Sequence, residues 1–182
     1  YLDLSATREE RATFTKLVPE TSRELSDKFS GGSMTELSSY VLLPILKIFG
    51  DNYKSLQFYS YYNQGVDLFT KGVMEYPNGT ASFKVGLGVK SEGCLIISGT
   101  KGYAYVPAPW WKTDYFELRF EDMSQNRKYY YRFDGDGLRY ELEEFISLIT
   151  NCQKESYRLS RKESIEIARI IEKFRNENKI DL

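Results

Sequence analysis

Two alternating segments on either side of Asn78-Gly79 constrain the fold of this 182-residue chain more than any other feature. Residues 66–76 and 81–89 each alternate between a more apolar and a more polar set of side chains. A period of two is typical of a strand with one buried face, and Asn-Gly favours a two-residue hairpin turn. The sequence therefore predicts an antiparallel hairpin.

Other segments also have the composition of strands. They are residues 1–6, 53–62, 94–98, 103–106, 115–121 and 127–133. In the last of these, the alternation predicts that Tyr129, Tyr131 and Phe133 face inward. Residues 7–30 differ, because they are polar and have no clean period. We interpret that segment as a loop with room for one short helix.

A helix is predicted to follow the glycine pair Gly31-Gly32 and to end before Gly50. Its apolar face has helical spacing and consists of Met34, Leu37, Val41, Ile45 and Ile48. Ser33 and Glu36 have the spacing of a capping box, in which each side chain bonds the other residue's backbone N–H.

A second face of this helix carries Glu36 and Tyr40, which are four residues apart. Pro44 predicts a bend, because proline has no N–H to donate to the Tyr40 carbonyl. An acid and a phenol next to a bend are candidates for chemistry, although a capping role for Glu36 and a core role for Tyr40 are the simpler alternatives.

Two helices are predicted at the end of the chain. Asp136 would cap the first, whose apolar stripe is Leu138, Leu142, Phe145 and Ile149. Ser160 and Glu163 form a capping box for the second. The order of elements predicts an α+β fold in which an open, mostly antiparallel sheet has helices on one face. Its other, aromatic face would be an interface, most simply with a second copy.

Composition excludes several function classes. The chain has no histidine, which excludes Ser-His-Asp and Cys-His catalysis and histidine-ligated metals. Its two cysteines lack metal-ligand spacing, so we expect no metal site and reduced thiols in a cytoplasmic protein. The net charge of -1 argues against nucleic acid as a partner. No apolar run is long enough to span a membrane.

The motifs occur in an order that is typical of one family. They are Gly31-Gly32 with Glu36 and Tyr40, the Asn78-Gly79 turn, the hairpin at residues 97–106, Gly135-Asp136-Gly137 before a helix, and the final helix from Ser160. With this set the chain resembles the C-terminal domain of the Gfo/Idh/MocA oxidoreductases over nearly its whole length. That family usually has Asp where this chain has Glu36, which is a departure.

The resemblance implies that residues 1–182 are the substrate-binding and oligomerisation domain of a longer NAD(P)-dependent oxidoreductase acting on a sugar or nucleotide-sugar. Its N-terminal Rossmann domain would hold NAD or NADP together with a catalytic lysine. The motifs of that domain are missing from the sequence, so we expect this piece alone to bind no cofactor and to be inactive. Tyr40 would take part in proton transfer, and Glu36 would orient Tyr40 or bind a sugar hydroxyl.

Trp110, Trp111 and Lys112 form a second candidate site. Aromatic rings stack on sugar faces, and a lysine can meet a phosphate, so these residues would bind substrate. The alternative is that they fix a proline-rich loop over the sheet edge. A different function class also stays open, since a non-catalytic relative with the same fold would act as a scaffold or sensor.

Overall fold

The computed structural model describes residues 7–176 and 180–181, so the strand expected at residues 1–6 lies outside the described part of the chain. This part forms nine strands and three α-helices. In chain order they are β1 (Thr7–Thr15), α1 (Ser33–Phe49), β2 (Ser55–Asn63), β3 (Val66–Tyr76), β4 (Gly79–Gly86), β5 (Leu95–Gly99), β6 (Gly102–Val106), β7 (Tyr115–Phe120), β8 (Arg127–Tyr130), α2 (Gly137–Thr150), α3 (Arg161–Asn176) and β9 (Ile180–Asp181).

The strands form one open sheet with the order β8-β7-β6-β5-β1-β4-β3-β2-β9. β1 runs parallel to β4 and antiparallel to β5, and the short β9 runs parallel to β2. The other neighbours are antiparallel. The predicted α+β fold with an open, mostly antiparallel sheet is therefore confirmed, and so is the hairpin of β3 and β4.

The prediction of a loop over residues 7–30 is wrong for its first nine residues, because Thr7–Thr15 is the central strand β1. The physical reason is Glu10, which pairs with Ala81 on one side and Ile97 on the other and is fully buried. Glu10, Ala12 and Phe14 lie on the same side of β1 and alternate with more polar residues. Because the first of them is a carboxylic acid, the sequence does not show the apolar alternation of a strand. Between β1 and α1 the chain is irregular apart from two short helical turns.

The core lies between α1, α3 and one face of the sheet. α1 packs on β1, β3 and β4 and also against α3. Its predicted apolar face is buried except for the half-buried Ile48, and the helix runs on through Pro44 to Phe49. The largest fully buried apolar side chains of α1 and the facing strands are Met34, Leu42, Ile45, Met74 and Phe83, and Leu87, directly after β4, is buried with them.

The two final helices begin as predicted. The Asp136 carboxylate accepts a hydrogen bond from the backbone N–H of Gly137. The box at the start of α3 is complete, because the Ser160 N–H donates to Glu163 Oε2 at 2.7 Å and the Glu163 N–H donates to Ser160 Oγ at 3.2 Å. Neither helix, nor α1, is long and apolar enough to span a membrane.

One prediction about the strands needs correction. β8 ends at Tyr130, and Tyr129, Tyr131 and Phe133 are exposed rather than inward-facing. α1 and α3 pack over the other half of the sheet, where β1, β3 and β4 lie. The alternation of residues 127–133 therefore identified a strand but could not show whether anything covers it.

Candidate active site

The glycine pair before α1 is required by close packing. Gly32 has φ +113°, and a Cβ at this position would lie 2.3 Å from Asp67 Oδ1. A Cβ on Gly31 would lie 2.3 Å from the backbone oxygen of Glu24. Because side chains larger than hydrogen would collide, both positions need glycine, and together they fix where α1 begins.

Asp67 on β3 caps α1. Its Oδ2 accepts hydrogen bonds from Ser33 Oγ at 2.5 Å, from the Met34 N–H at 3.0 Å and from Thr70 Oγ1 at 2.7 Å. Burial raises the pKa of this carboxyl, while the three hydrogen bonds act in the opposite direction. The carboxylate thus satisfies donors that the first turn of a helix leaves free.

The predicted capping box of Ser33 and Glu36 is therefore wrong. The N-cap residue is Gly32, which has no side chain, and the Ser33 hydroxyl bonds Asp67 instead. Glu36 is released from capping, and it is half-buried on the helix surface. Within the described part of the chain its carboxylate has no hydrogen-bond or ion-pair partner, so it is available to bind a hydroxyl group.

Tyr40 and Trp111 meet at a common third ring, Phe14. The Phe14 ring centroid lies 3.9 Å from that of Trp111 in a stacked arrangement and 4.6 Å from that of Tyr40. Tyr40 is 47% exposed, and among the described residues its hydroxyl has no hydrogen-bond partner. The structure therefore joins the two predicted sites, the α1 helix and the tryptophan loop, into one aromatic surface with a free phenol.

The two tryptophans have different roles. Trp110 donates from Nε1 to the Thr13 carbonyl at 3.1 Å, and its ring packs against the hydrophobic core. Trp111 stacks on Phe14 and borders a cleft. The geometry therefore assigns loop anchoring to Trp110 and keeps Trp111 as the candidate for contact with a substrate.

A cleft of about 470 Å³ opens beside Trp111. It is lined by Trp111, Lys112, Phe133, Gly135, Asp136 and Gly137. Its volume lies in the range of small-molecule sites, roughly 300–1,000 Å³. An indole face, a phenyl ring and two opposite charges suit a substrate that has both an apolar ring face and polar groups.

Sequence reasoning missed Phe14 and Phe133 as site residues. Phe14 was hidden because β1 was read as a loop, although its alternation with Ala12 was a usable signal. Phe133 was assigned to the inner face of a strand, but it lies beyond β8 at the cleft. Trp111 and Lys112 border the cleft and Tyr40 is exposed, and their assignment to a substrate site stays a prediction.

The glycine-led start of α1 has three N–H groups that are already bonded, Gly31 to the Ser26 carbonyl, Gly32 to the Glu24 carbonyl and Met34 to Asp67. Phosphate at a helix start needs free N–H groups, and these three are not available for it. The described side chains also include no group of three or more His, Cys, Asp or Glu suited to a metal ion.

Comparison with known proteins gives relatives by sequence and by fold. No protein-family model matches the chain. Over 174 residues it is 28% identical to trans-1,2-dihydrobenzene-1,2-diol dehydrogenase of Oryctolagus cuniculus, and the match covers 91% of this chain and 53% of the rabbit protein. The same enzyme of Sus scrofa is 26% identical with similar coverage. The chain thus spans about half the length of the curated relatives it matches.

Two solved structures have the same fold. UDP-N-acetylglucosamine 3-dehydrogenase GnnA from Acidithiobacillus ferrooxidans matches with a TM-score of 0.74 and 15% identity, over 95% of this chain and 54% of GnnA. The 3-ketoreductase KijD10 from Actinomadura kijaniata, solved with NADP and TDP-benzene, matches with a TM-score of 0.77 and 12% identity, over 95% and 54%. The predicted resemblance to the C-terminal domain of the Gfo/Idh/MocA oxidoreductases is thereby confirmed.

Proposed function

We propose that this chain is the substrate-binding domain of an NAD(P)-dependent oxidoreductase that acts on a hydroxyl group of a ring-shaped substrate. The observation that carries the proposal is the meeting of Tyr40 and Trp111 at Phe14. Tyr40 thus belongs to an aromatic surface that includes Trp111, and Trp111 borders the cleft, which supports the proposal. The names of the relatives, a dihydrodiol dehydrogenase and a nucleotide-sugar dehydrogenase, support this class of reaction.

The residues have separate tasks in this proposal. The Trp111 ring holds an apolar ring face of the substrate, and Lys112 attracts an anionic group such as a phosphate. Tyr40 takes or gives the proton of the reacting hydroxyl, and Glu36 binds a neighbouring hydroxyl or orients the phenol. A nicotinamide cofactor would supply the hydride chemistry, and it would be held by a part of the full-length protein outside residues 1–182.

A phenol needs help to act as a base near neutral pH, because its ordinary pKa is about 10. A nearby cation favours the phenolate. We propose that a lysine outside this chain is that cation, as the family resemblance implies. The exposed position of Tyr40 is compatible with such a neighbour, since the hydroxyl is not sealed in the core.

We also propose that the sheet face opposite α1 pairs with a second copy of the protein. This face carries Tyr61, Tyr103 and Tyr130, which are all exposed. Cations lie over several rings of this face, since Lys128 Nζ is 3.5 Å from the centroid of Tyr115 and 5.3 Å from that of Tyr130. Tyrosine with few free charges is typical of protein interfaces. Sedimentation of the full-length protein tests this, and a monomer that persists at high concentration contradicts it.

Two measurements on the full-length protein test the proposed activity. The first is a titration with NADH and NADPH, and the second is a turnover assay on cyclic diols, sugars and nucleotide-sugars. We expect cofactor binding and oxidation of at least one cyclic alcohol. A protein that binds neither nucleotide is not an oxidoreductase of this class. A protein that binds cofactor but turns over no alcohol supports the scaffold or sensor alternative, which the departure at Glu36 keeps in view.

A further inference from the structure

The second-to-last helix, α2, presents an apolar face to solvent. Its five members are between 52% and 63% exposed, and they are Leu138, Leu142, Phe145, Ile146 and Ile149. They lie along one side of a 14-residue helix, which is about 21 Å long at 1.5 Å per residue. Together they expose on the order of 500 Å² of apolar surface, a size at which an exposed patch marks an interaction site.

The opposite side of α2 faces the loop that follows the helix. Glu144 accepts a hydrogen bond from Ser156 Oγ at 2.6 Å and pairs with Arg158 at 3.3 Å. Tyr140 and Leu148, one turn to either side of Glu144, are half-buried on that side. The more polar side of α2 therefore contacts this loop, and the apolar face stays exposed in the described part of the chain.

We propose that this α2 face is the docking surface for a further domain of the full-length protein. That domain corresponds to the part of each relative that lies outside the match. The inference rests on the proposed function in one respect, since that domain would also carry the cofactor. Asp136 and Gly137, at the start of α2, line the cleft beside Trp111. A domain seated on α2 would therefore stand next to this cleft and close it from a side that is now open.

The size of the patch favours a covalently linked partner over a second copy. A stable interface between separate proteins buries about 800 Å² per partner, which exceeds what one face of α2 offers. Interfaces between domains of one chain are smaller, with a total of about 600–1,500 Å². A tether raises the effective concentration to about the millimolar range, so a smaller patch suffices. The matched relatives each have almost half of their length outside the match, which is enough for such a domain.

Hydrogen exchange of residues 137–150 in the full-length protein tests the proposal. The test variant is Leu142→Gln with Phe145→Gln, and the control is Glu143→Gln, which places the same amide on the exposed polar side. We expect protected α2 amides in the wild type and in the control, and a loss of protection of at least about tenfold in the test variant. Hydrogen exchange of the α3 amides, measured in the same experiment, reports any general loss of the fold.

Three results would overturn the proposal. They are α2 amides that exchange as a solvent-exposed helix in the full-length wild type, equal protection in test and control variants, and protection that disappears on dilution because a second copy supplied it. The measurement needs neither cofactor nor substrate. A protein that protects α2 yet binds no nicotinamide nucleotide would uphold the docking surface and reject the proposed activity.

Discussion

The Ser33 hydroxyl donates a hydrogen bond of 2.5 Å to the carboxylate of Asp67, which ties the first residue of α1 to strand β3. The same carboxylate also bonds the Met34 N–H and Thr70. Because Tyr40 is less than two helical turns further along α1, this contact between distant parts of the sequence also sets the position of the candidate catalytic phenol.

Asp67→Ala is expected to lower the free energy of unfolding by about 2–4 kcal/mol, because it removes a helix cap and leaves buried donors without partners. Asp51→Ala is the matched control, since Asp51 is an exposed partner of Lys162 and such pairs contribute little. Chemical denaturation of both variants measures the difference. Equal stability of the two variants would show that Asp67 does not hold the helix.

Gly32→Ala is expected to cost at least about 3 kcal/mol, because it adds a collision with Asp67 to an unfavourable φ. Gly135→Ala separates the two causes. Gly135 also has a positive φ, but a Cβ there meets nothing within 4 Å, so only strain of about 1–2 kcal/mol remains. Thermal unfolding of the two variants compares them, and a Gly32 variant no worse than the Gly135 variant would contradict the close packing.

Local signals in the sequence predicted local structure well. The hairpin of β3 and β4 and the Ser160 to Glu163 box depend on residues close in sequence, and both are confirmed. The two-residue turn of the hairpin is Pro77-Asn78 rather than Asn78-Gly79, because Gly79 already pairs with Tyr76. The cap of α1 comes from Asp67, 34 residues after Ser33, and no spacing rule could reveal it. In the same way, the stripe of α2 was visible as a pattern, but the pattern could not show that the stripe is exposed in the described part of the chain.

Glu10 should make stability depend on pH. Burial raises its pKa from 4.5 to about 8, so between these values the folded state holds a proton that the unfolded state has released. Unfolding free energy therefore falls as pH rises from about 4.5 to 8, by about 5 kcal/mol at most.

Denaturation of the wild type and of Glu10→Gln at several pH values measures this dependence. The glutamine variant is expected to lose the slope and to be the more stable of the two at pH 8. Glu141→Gln, an exposed position on α2, should leave the slope unchanged. A Glu10→Gln variant with the wild-type slope would show that this carboxyl titrates normally in the folded protein.

Trp111 and Trp110 are expected to respond differently to substitution. Trp111→Ala should lower kcat/KM of the full-length protein by about tenfold, which corresponds to the stacking energy of an aromatic pair. It should lower the free energy of unfolding less than Trp110→Phe does. Trp110→Phe should lower stability by about 1 kcal/mol, because the hydrogen bond to the Thr13 carbonyl is lost, and it should leave kcat/KM nearly unchanged. The opposite pattern would exchange the roles assigned to the two rings.

The most direct test of the central claim is the turnover of Tyr40→Phe in the full-length protein, on whichever cyclic alcohol the wild type oxidises. The variant keeps the ring on Phe14 and removes only the hydroxyl, and Tyr157→Phe is the control at an exposed tyrosine. We predict that kcat of Tyr40→Phe falls by at least about a hundredfold, the usual contribution of a general acid or base, while Tyr157→Phe stays at the wild-type rate. Unchanged kcat in Tyr40→Phe would contradict the assignment of this phenol to proton transfer.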